Sequence, residues 1–206
     1  MTSHSPNTDI LPPTSRALLN VVTQFSAKLG TLTDPTTLGD RIIQELCRTV
    51  ATTHGALYLL DREHECYRPV SMVGPAAPTL MPPTLAMDHP LPHHLLTSNG
   101  IIREDDSTID LPEPDSGSSA REAMETFQAT HIVPHLMKSR LIAFSLLGAA
   151  IPPAQEQTLT RSMLSTLAQI ATNALGSMLQ HQDLLRSHTL MQRTNRLKSL
   201  ETIAGG

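Results

Sequence analysis

The sequence predicts an α+β domain: an antiparallel sheet of about six strands, helices from both termini packed on one of its faces, and a long C-terminal helix. Three observations carry this. Two amphipathic helices precede the first strand. The strands that follow are short and joined by tight, charged turns, the mark of hairpins rather than of parallel crossovers. Beyond Gln155 there is no proline and one interior glycine, Gly176. Some 45 residues of helix there reach about 70 Å at ~1.5 Å per residue, more than one small domain can cover.

The elements follow in order. Thr14 and Ser15 are good N-caps. Leu18, Val22, Phe25 and Leu29 then recur on one helix face, and Gly30 ends it. Asp34-Pro35 starts a second helix with the stripe Leu38, Ile42, Leu46 and Val50, widened by Ile43 and Cys47. Ala56–Leu60 and Cys66–Val73 read as a hairpin around the charged turn 61–65, followed by a Pro/Ala/Thr loop over 74–83 and a brief strand at Thr84–Met87. Asp88-His89-Pro90 opens a short helix to Ser98, and Ile101-Ile102 reads as an edge strand. Residues 104–118 are polar and acidic, a solvated loop. Ser119 and Glu122 have capping-box spacing for a short helix to about Phe127. His131–Met137 and Leu141–Ala149 form a second hairpin across Lys138-Ser139-Arg140, and Pro152-Pro153 ends the sheet.

Composition excludes several classes. The longest nearly apolar run, Leu141–Ile151, is far short of the ~20 residues of a membrane span. Residues 1–13 lack a basic and then apolar signal pattern and read as a disordered leader. Two cysteines, Cys47 and Cys66, make neither a disulfide framework nor a metal finger, which suits a reducing cytoplasm. A net charge of −4 with no Trp, two Tyr and three Phe leaves no footprint for nucleic acid. No Gly-x-Ser-x-Gly elbow or phosphate loop is present, so nothing points to catalysis by this chain. The histidine pairs His89/His93 and His131/His135 can each share a face but lack further ligands at zinc spacing, so no metal site is expected. His93 and His94 are adjacent and do not share a face.

The last helix carries a seam at alternating spacings of four and three: Leu167, Ile170, Ala174, Ser177, His181, Leu184, His188, Met191, Asn195 and Lys198. That is coiled-coil spacing. The seam turns polar at His181, His188 and Asn195, and Leu197, Leu200 and Ala204 then form an apolar line in a shifted register. A weak, register-broken coiled coil suits a switch between two helix arrangements. The same pattern also fits a helix that frays past residue 185.

Four stretches in this order resemble a GAF domain: the second helix running into Gly55–Asp61, the Asp88–Leu91 helix start, the Val133–Ile142 hairpin with Gly148 at its end, and Leu167–Leu175 in the closing helix. The resemblance spans roughly 15–180. The tail Arg196–Gly206, with its Ala-Gly-Gly end, is similar to the first turns of the dimerisation helix of sensor histidine kinases, in which the phospho-accepting histidine follows shortly after. The expected organisation is a leader over 1–13, a GAF sensory domain over 14–180, and a signalling helix over 181–206 that leads into a kinase module.

The resemblance implies a cytoplasmic parallel homodimer that relays a signal to its kinase module and so to a response regulator. It also implies a small-molecule cavity between the sheet and the helices covering its outer face, with Tyr58, Met72, Met87, His93, His131 and His135 around it. No particular cofactor is implied. The competing reading is that apolar side chains fill this space and the domain only dimerises. A GAF-type free methionine sulfoxide reductase is a third reading, although that family relies on several cysteines in the cavity. The Asn-Lys-Phe-Asp-Glu set of cyclic-nucleotide-binding GAF domains is absent. A PAS domain is the rival fold, but it lacks the paired helices before the first strand.

Overall fold

A computed structural model describes residues 13–74, 84–98, 100–104, 124–125, 127–148 and 157–204, with 13–18, 157–159 and 195–204 described by backbone alone. Helix α1 spans Pro13–Leu29 and α2 spans Pro35–Val50. Strands β1 (Gly55–Asp61), β2 (Cys66–Val73) and β3 (Leu85–Ala86) follow, then helix α3 (Pro90–Thr97). Strands β4 (Ile102–Arg103), β5 (Ala129–Met137) and β6 (Arg140–Gly148) complete the sheet, and α4 runs from Gln157 to Ala204. Beyond Gly74, the loop expected over 74–83 lies outside the described residues, as do most of that over 104–118 and most of the short helix expected before Phe127.

The six strands lie in the order β3-β2-β1-β6-β5-β4, and every neighbouring pair is antiparallel. Both long hairpins close as the turn chemistry demands. At the β5–β6 turn, Met137 pairs with Arg140, and the two linking residues, Lys138 and Ser139, both take positive φ (50° and 60°). Two left-handed residues match the twist of the flanking strands. The turn is therefore one residue tighter than the three-residue link expected from sequence.

The sheet carries a separate core on each face. On one, α1, α2 and the first part of α4 bury Phe25, Leu38, Ile42, Leu46, Leu57, Val133 and Leu167, among others. On the other, α3 and Met124 cover Ala56, Tyr58, Tyr67, Ile132, Phe144 and Leu146. Strand alternation places consecutive side chains in different cores.

Helix α2 explains its own position. Asp34 caps it, its carboxylate accepting from the Thr37 N–H at 2.8 Å, with Pro35 following. Its stripe Leu38, Ile42, Ile43, Leu46, Cys47 and Val50 is entirely buried. Each large apolar side chain of that stripe stabilises the fold by roughly 1.5–3 kcal/mol. Ser71 of β2 donates to the Asp40 carboxylate at 2.6 Å and fixes the helix along the sheet. The helix also packs closely on β1 at Gly55, where an added Cβ would lie 2.7 Å from Cys47 Sγ and 3.0 Å from the Leu146 carbonyl. Because the second neighbour is backbone, Gly55→Ala is expected to cost about 1–3 kcal/mol. Urea denaturation checks this, and an unchanged midpoint would refute the packing described.

Candidate functional site

The outer-face core concentrates the aromatic residues. Both tyrosines and two of the three phenylalanines of the chain meet there. Tyr58 on β1 and Phe144 on β6 are cross-strand partners, stacked with centroids 5.0 Å apart and planes within 4°. Phe127 tilts against Tyr58 at 6.5 Å, and Tyr67 against Phe144 at 5.3 Å. Such pairs add about 0.5–1.5 kcal/mol beyond their burial. The Tyr67 hydroxyl donates to the Leu141 carbonyl at 3.0 Å. Burial raises both phenols, that of Tyr58 to about 12, so both stay neutral. Arg140 partly opposes the shift at Tyr67.

Helix α3 closes over this cluster with Leu91 and Leu95. Its N-cap is His89, whose Nδ1 accepts from the Leu91 N–H at 3.2 Å. An accepting Nδ1 is unprotonated. Burial lowers the His89 pKa, partly opposed by Asp88.

The six residues expected around a cavity separate in space. Tyr58 lies inside the aromatic cluster with no exposed surface. Met72 and Met87 are 41% and 46% exposed, and His93 is exposed on α3. His131 and His135 do share a face, as strand alternation requires, but it is the opposite one. His131 pairs with Leu147 and His135 with Ala143, both members of the helix-side core. The expectation that these two histidines join Tyr58 is corrected: the sheet lies between them.

His135 instead joins the sheet to α4. It is fully buried, with Nδ1 3.0 Å from Thr172 Oγ1 and Nε2 2.9 Å from Ser145 Oγ. The Thr172 hydroxyl donates to the Ala168 carbonyl at 2.7 Å. Having one proton, it accepts from His135 Nδ1–H, and Ser145 donates to Nε2. A neutral imidazole satisfies the chain. Among the described residues no buried side-chain nitrogen or oxygen lacks a partner.

Along α4 the expected seam changes character. Leu167 is wholly inside the domain's own core, so it cannot face a partner, which corrects its place in the seam. Ile170, Ala174, Ser177 and His181 line a groove of about 330 Å³ against Ser26, Leu29 and Leu32 at the end of α1. Met178 is the last buried residue of α4 among those whose side chains are described. Beyond it Leu184 and Met191 are 61% and 62% exposed, and His188 is exposed too. Leu197 and Leu200 lie on α4 where only backbone is described.

The cysteines are far apart. Cys47 is buried in α2 beside Gly55, and burial pushes its thiol up to about 11. Cys66 faces Asp61 at the other end of β1, six residues or ~20 Å away along the strand. Asp61, Glu63 and His64 bring possible ligand atoms within 4.8 Å. The Asp61 carboxylate, however, already pairs with Arg68 and His64, and Glu63 with Arg186. Among the described residues no helix is long and apolar enough to cross a membrane.

No protein-family model matches the sequence, and no curated protein matches it. Solved structures do. The GAF domain of a putative sensor histidine kinase from Pseudomonas syringae pv. tomato superposes with a TM-score of 0.53 at 15% identity, covering 86% of this chain and 95% of that one. The GAF domain of a phosphoenolpyruvate-protein phosphotransferase from Coxiella burnetii gives 0.57 at 13%, covering 82% and 98%. Free methionine-R-sulfoxide reductase from Neisseria meningitidis, in complex with its substrate, gives 0.53 at 15%, covering 84% and 96%. The chain has a GAF-like α+β fold. At these identities the likeness speaks for the fold alone.

The buried histidine carries a pH prediction. Burial depresses the His135 pKa from 6.5 to about 4, only partly opposed by the Ala168 carbonyl. Above pH 6.5 the folded and unfolded chains are both neutral at this site. As pH falls from 6.5 to 4 the unfolded chain takes up a proton that the folded chain refuses, so stability drops. The total is about 3 kcal/mol. Urea denaturation across that window is expected to show a smaller loss in His135→Gln than in the native chain. An identical pH slope in the two proteins would contradict this assignment.

Proposed function

We propose that the chain is the cytoplasmic sensory module of a sensor histidine kinase. It forms a parallel homodimer through α1 and α4 and relays the state of its outer face along α4. A kinase module beyond α4 answers with more or less autophosphorylation, and so with phosphotransfer to a response regulator. The chain itself is not an enzyme in this reading, and it binds neither nucleic acid nor membrane.

The observation that carries the proposal is the division of α4. Its first part is built into the domain core, and the stretch after Met178 presents a regularly spaced, uncovered line of Leu184, His188 and Met191. At 48 residues the helix is about 72 Å long, at ~1.5 Å per residue. A helix fixed at one end and uncovered at the other suits transmission to a neighbouring module. The kinase-like tail at Arg196–Gly206 and the kinase-derived structural neighbour support the same direction.

A second reading has its own support. The closely packed Tyr58–Phe144 stack fits a ligand-free dimerisation module. The reductase reading is weaker, because Cys47 is buried in the helix-side core and far from Cys66.

Native mass spectrometry of the purified chain, with nothing added, separates the two leading readings. A dimer carrying a defined extra mass supports a ligand sensor. A bare dimer favours the dimerisation module. A monomer contradicts both. In the dimer, Leu184→Glu with Met191→Glu places like charges across the seam, and we expect dissociation to become more favourable by about a hundredfold or more, as the several kcal/mol such contacts cost implies. Sedimentation equilibrium measures it, and an unchanged dimer would place the interface elsewhere.

A further inference from the structure

The β1–β2 turn touches two elements that the sheet otherwise keeps apart. On one side it meets α4 just after that helix leaves the core. Arg62 Nη1 lies 3.2 Å from Asp183 Oδ2, and Glu63 Oε1 lies 3.2 Å from Arg186 Nη1. The charges are complementary and crossed: cation then anion along the turn, anion then cation one helical turn apart on α4. On the other side, the Glu65 carbonyl accepts from the Met87 N–H at 3.1 Å. Cys66 and Tyr67 pair with Ala86 and Leu85 of β3, a few residues before the His89 cap of α3.

The turn between these contacts is stiff. The Asp61 carboxylate accepts from the backbone N–H groups of Glu63 (3.0 Å) and His64 (3.4 Å). It also bonds His64 Nδ1 at 2.8 Å and pairs with Arg68. Glu65 closes the turn at φ 49°. These bonds tie Arg62 and Glu63 to the same short turn whose end holds Met87.

We infer that the β1–β2 turn is an ionic clasp that parks α4 against the domain as it leaves the core, and that it links the position of α3 to the release of that helix. The inference rests on reading α4 as the output helix. All four side chains are about half exposed. Each pair is therefore individually weak and sensitive to salt, and the two together shift the parked–released balance about two- to thirty-fold. A stronger, buried pair would hold α4 permanently. Weak paired contacts suit an element that must let go.

A charge-reversal cycle in the full chain tests this. Arg62→Glu with Glu63→Arg reverses the turn. Asp183→Arg with Arg186→Glu reverses the helix. The four substitutions together restore both pairs in the opposite sense. Hydrogen–deuterium exchange is followed on α4 peptides over residues 179–190. Each double variant is expected to exchange about two- to thirty-fold faster than the native chain, and the quadruple variant to return toward the native rate. High salt is expected to accelerate the native chain and to slow the double variants, whose opposed like charges it screens. Equal rates in all four proteins would overturn the clasp, and so would a quadruple variant as fast as the doubles. Sedimentation of the same proteins keeps the two ideas apart. A cycle that closes in a monomer retains the clasp and removes the dimeric relay, whereas a dimer without the cycle does the reverse.

Discussion

The structure depends on one constraint: α4 must satisfy two environments along a single continuous helix. From Leu164 to Met178 it is a core element, with Leu164, Leu167, Ala171, Leu175 and Met178 buried against the sheet and its neighbouring helices. Past Met178, among the residues whose side chains are described, none is buried, and the domain reaches the helix through the Arg62–Asp183 and Glu63–Arg186 pairs. Apolar burial sets the depth of the first part but not its position along the axis, because hydrophobic contact is non-directional. The bond between His135 and Thr172 supplies that missing direction. Gly176 does so as well, letting Met137 of β5 sit against the helix where an added Cβ would lie 2.5 Å from its sulfur.

The two faces of the sheet then take different tasks. The helix-side core is aliphatic apart from Phe25, with a neutral polar chain running from Ser145 through His135 and Thr172 to Ala168. The outer face is aromatic, closed by a short helix whose cap is a histidine. The faces meet physically through β1 and β6, where Tyr58 and Phe144 on one side alternate with Leu57, Leu59 and Ala143 on the other. Two chains of contacts lead from Tyr58 toward α4. One crosses the central strands to the His135 contact, and the other goes around the edge through β3 and the β1–β2 turn.

The element order was legible because each element declares a period. The stripe from Leu38 to Val50 recurs at helical spacing, and Asp34-Pro35 marks its start. The side of the sheet was not legible for His131 and His135. Alternation says that two residues share a face but not which face, and both cores here are apolar. One signal did exist: Ser145 is a lone hydroxyl in the buried run of β6, and a buried hydroxyl needs a partner. Leu167 entered the seam because core spacing and coiled-coil spacing coincide over two turns. The Arg62–Asp183 pair joins residues 121 positions apart, and no local pattern in an exposed turn or an exposed helix foretells that contact.

The central claim is that the uncovered part of α4 pairs, side by side and in the same direction, with α4 of a second copy. The most direct measurement is the dipolar distance between spin labels on Gln180→Cys, an exposed position just past the core, in a Cys66→Ser background. Parallel helices with axes ~8–10 Å apart predict one distance of about 15–30 Å once the label arms are included. An antiparallel pairing centred near residue 192 would put the labels beyond that, since twelve residues in each direction add about 36 Å at ~1.5 Å per residue. That longer distance, or the absence of any dipolar signal, would contradict the account.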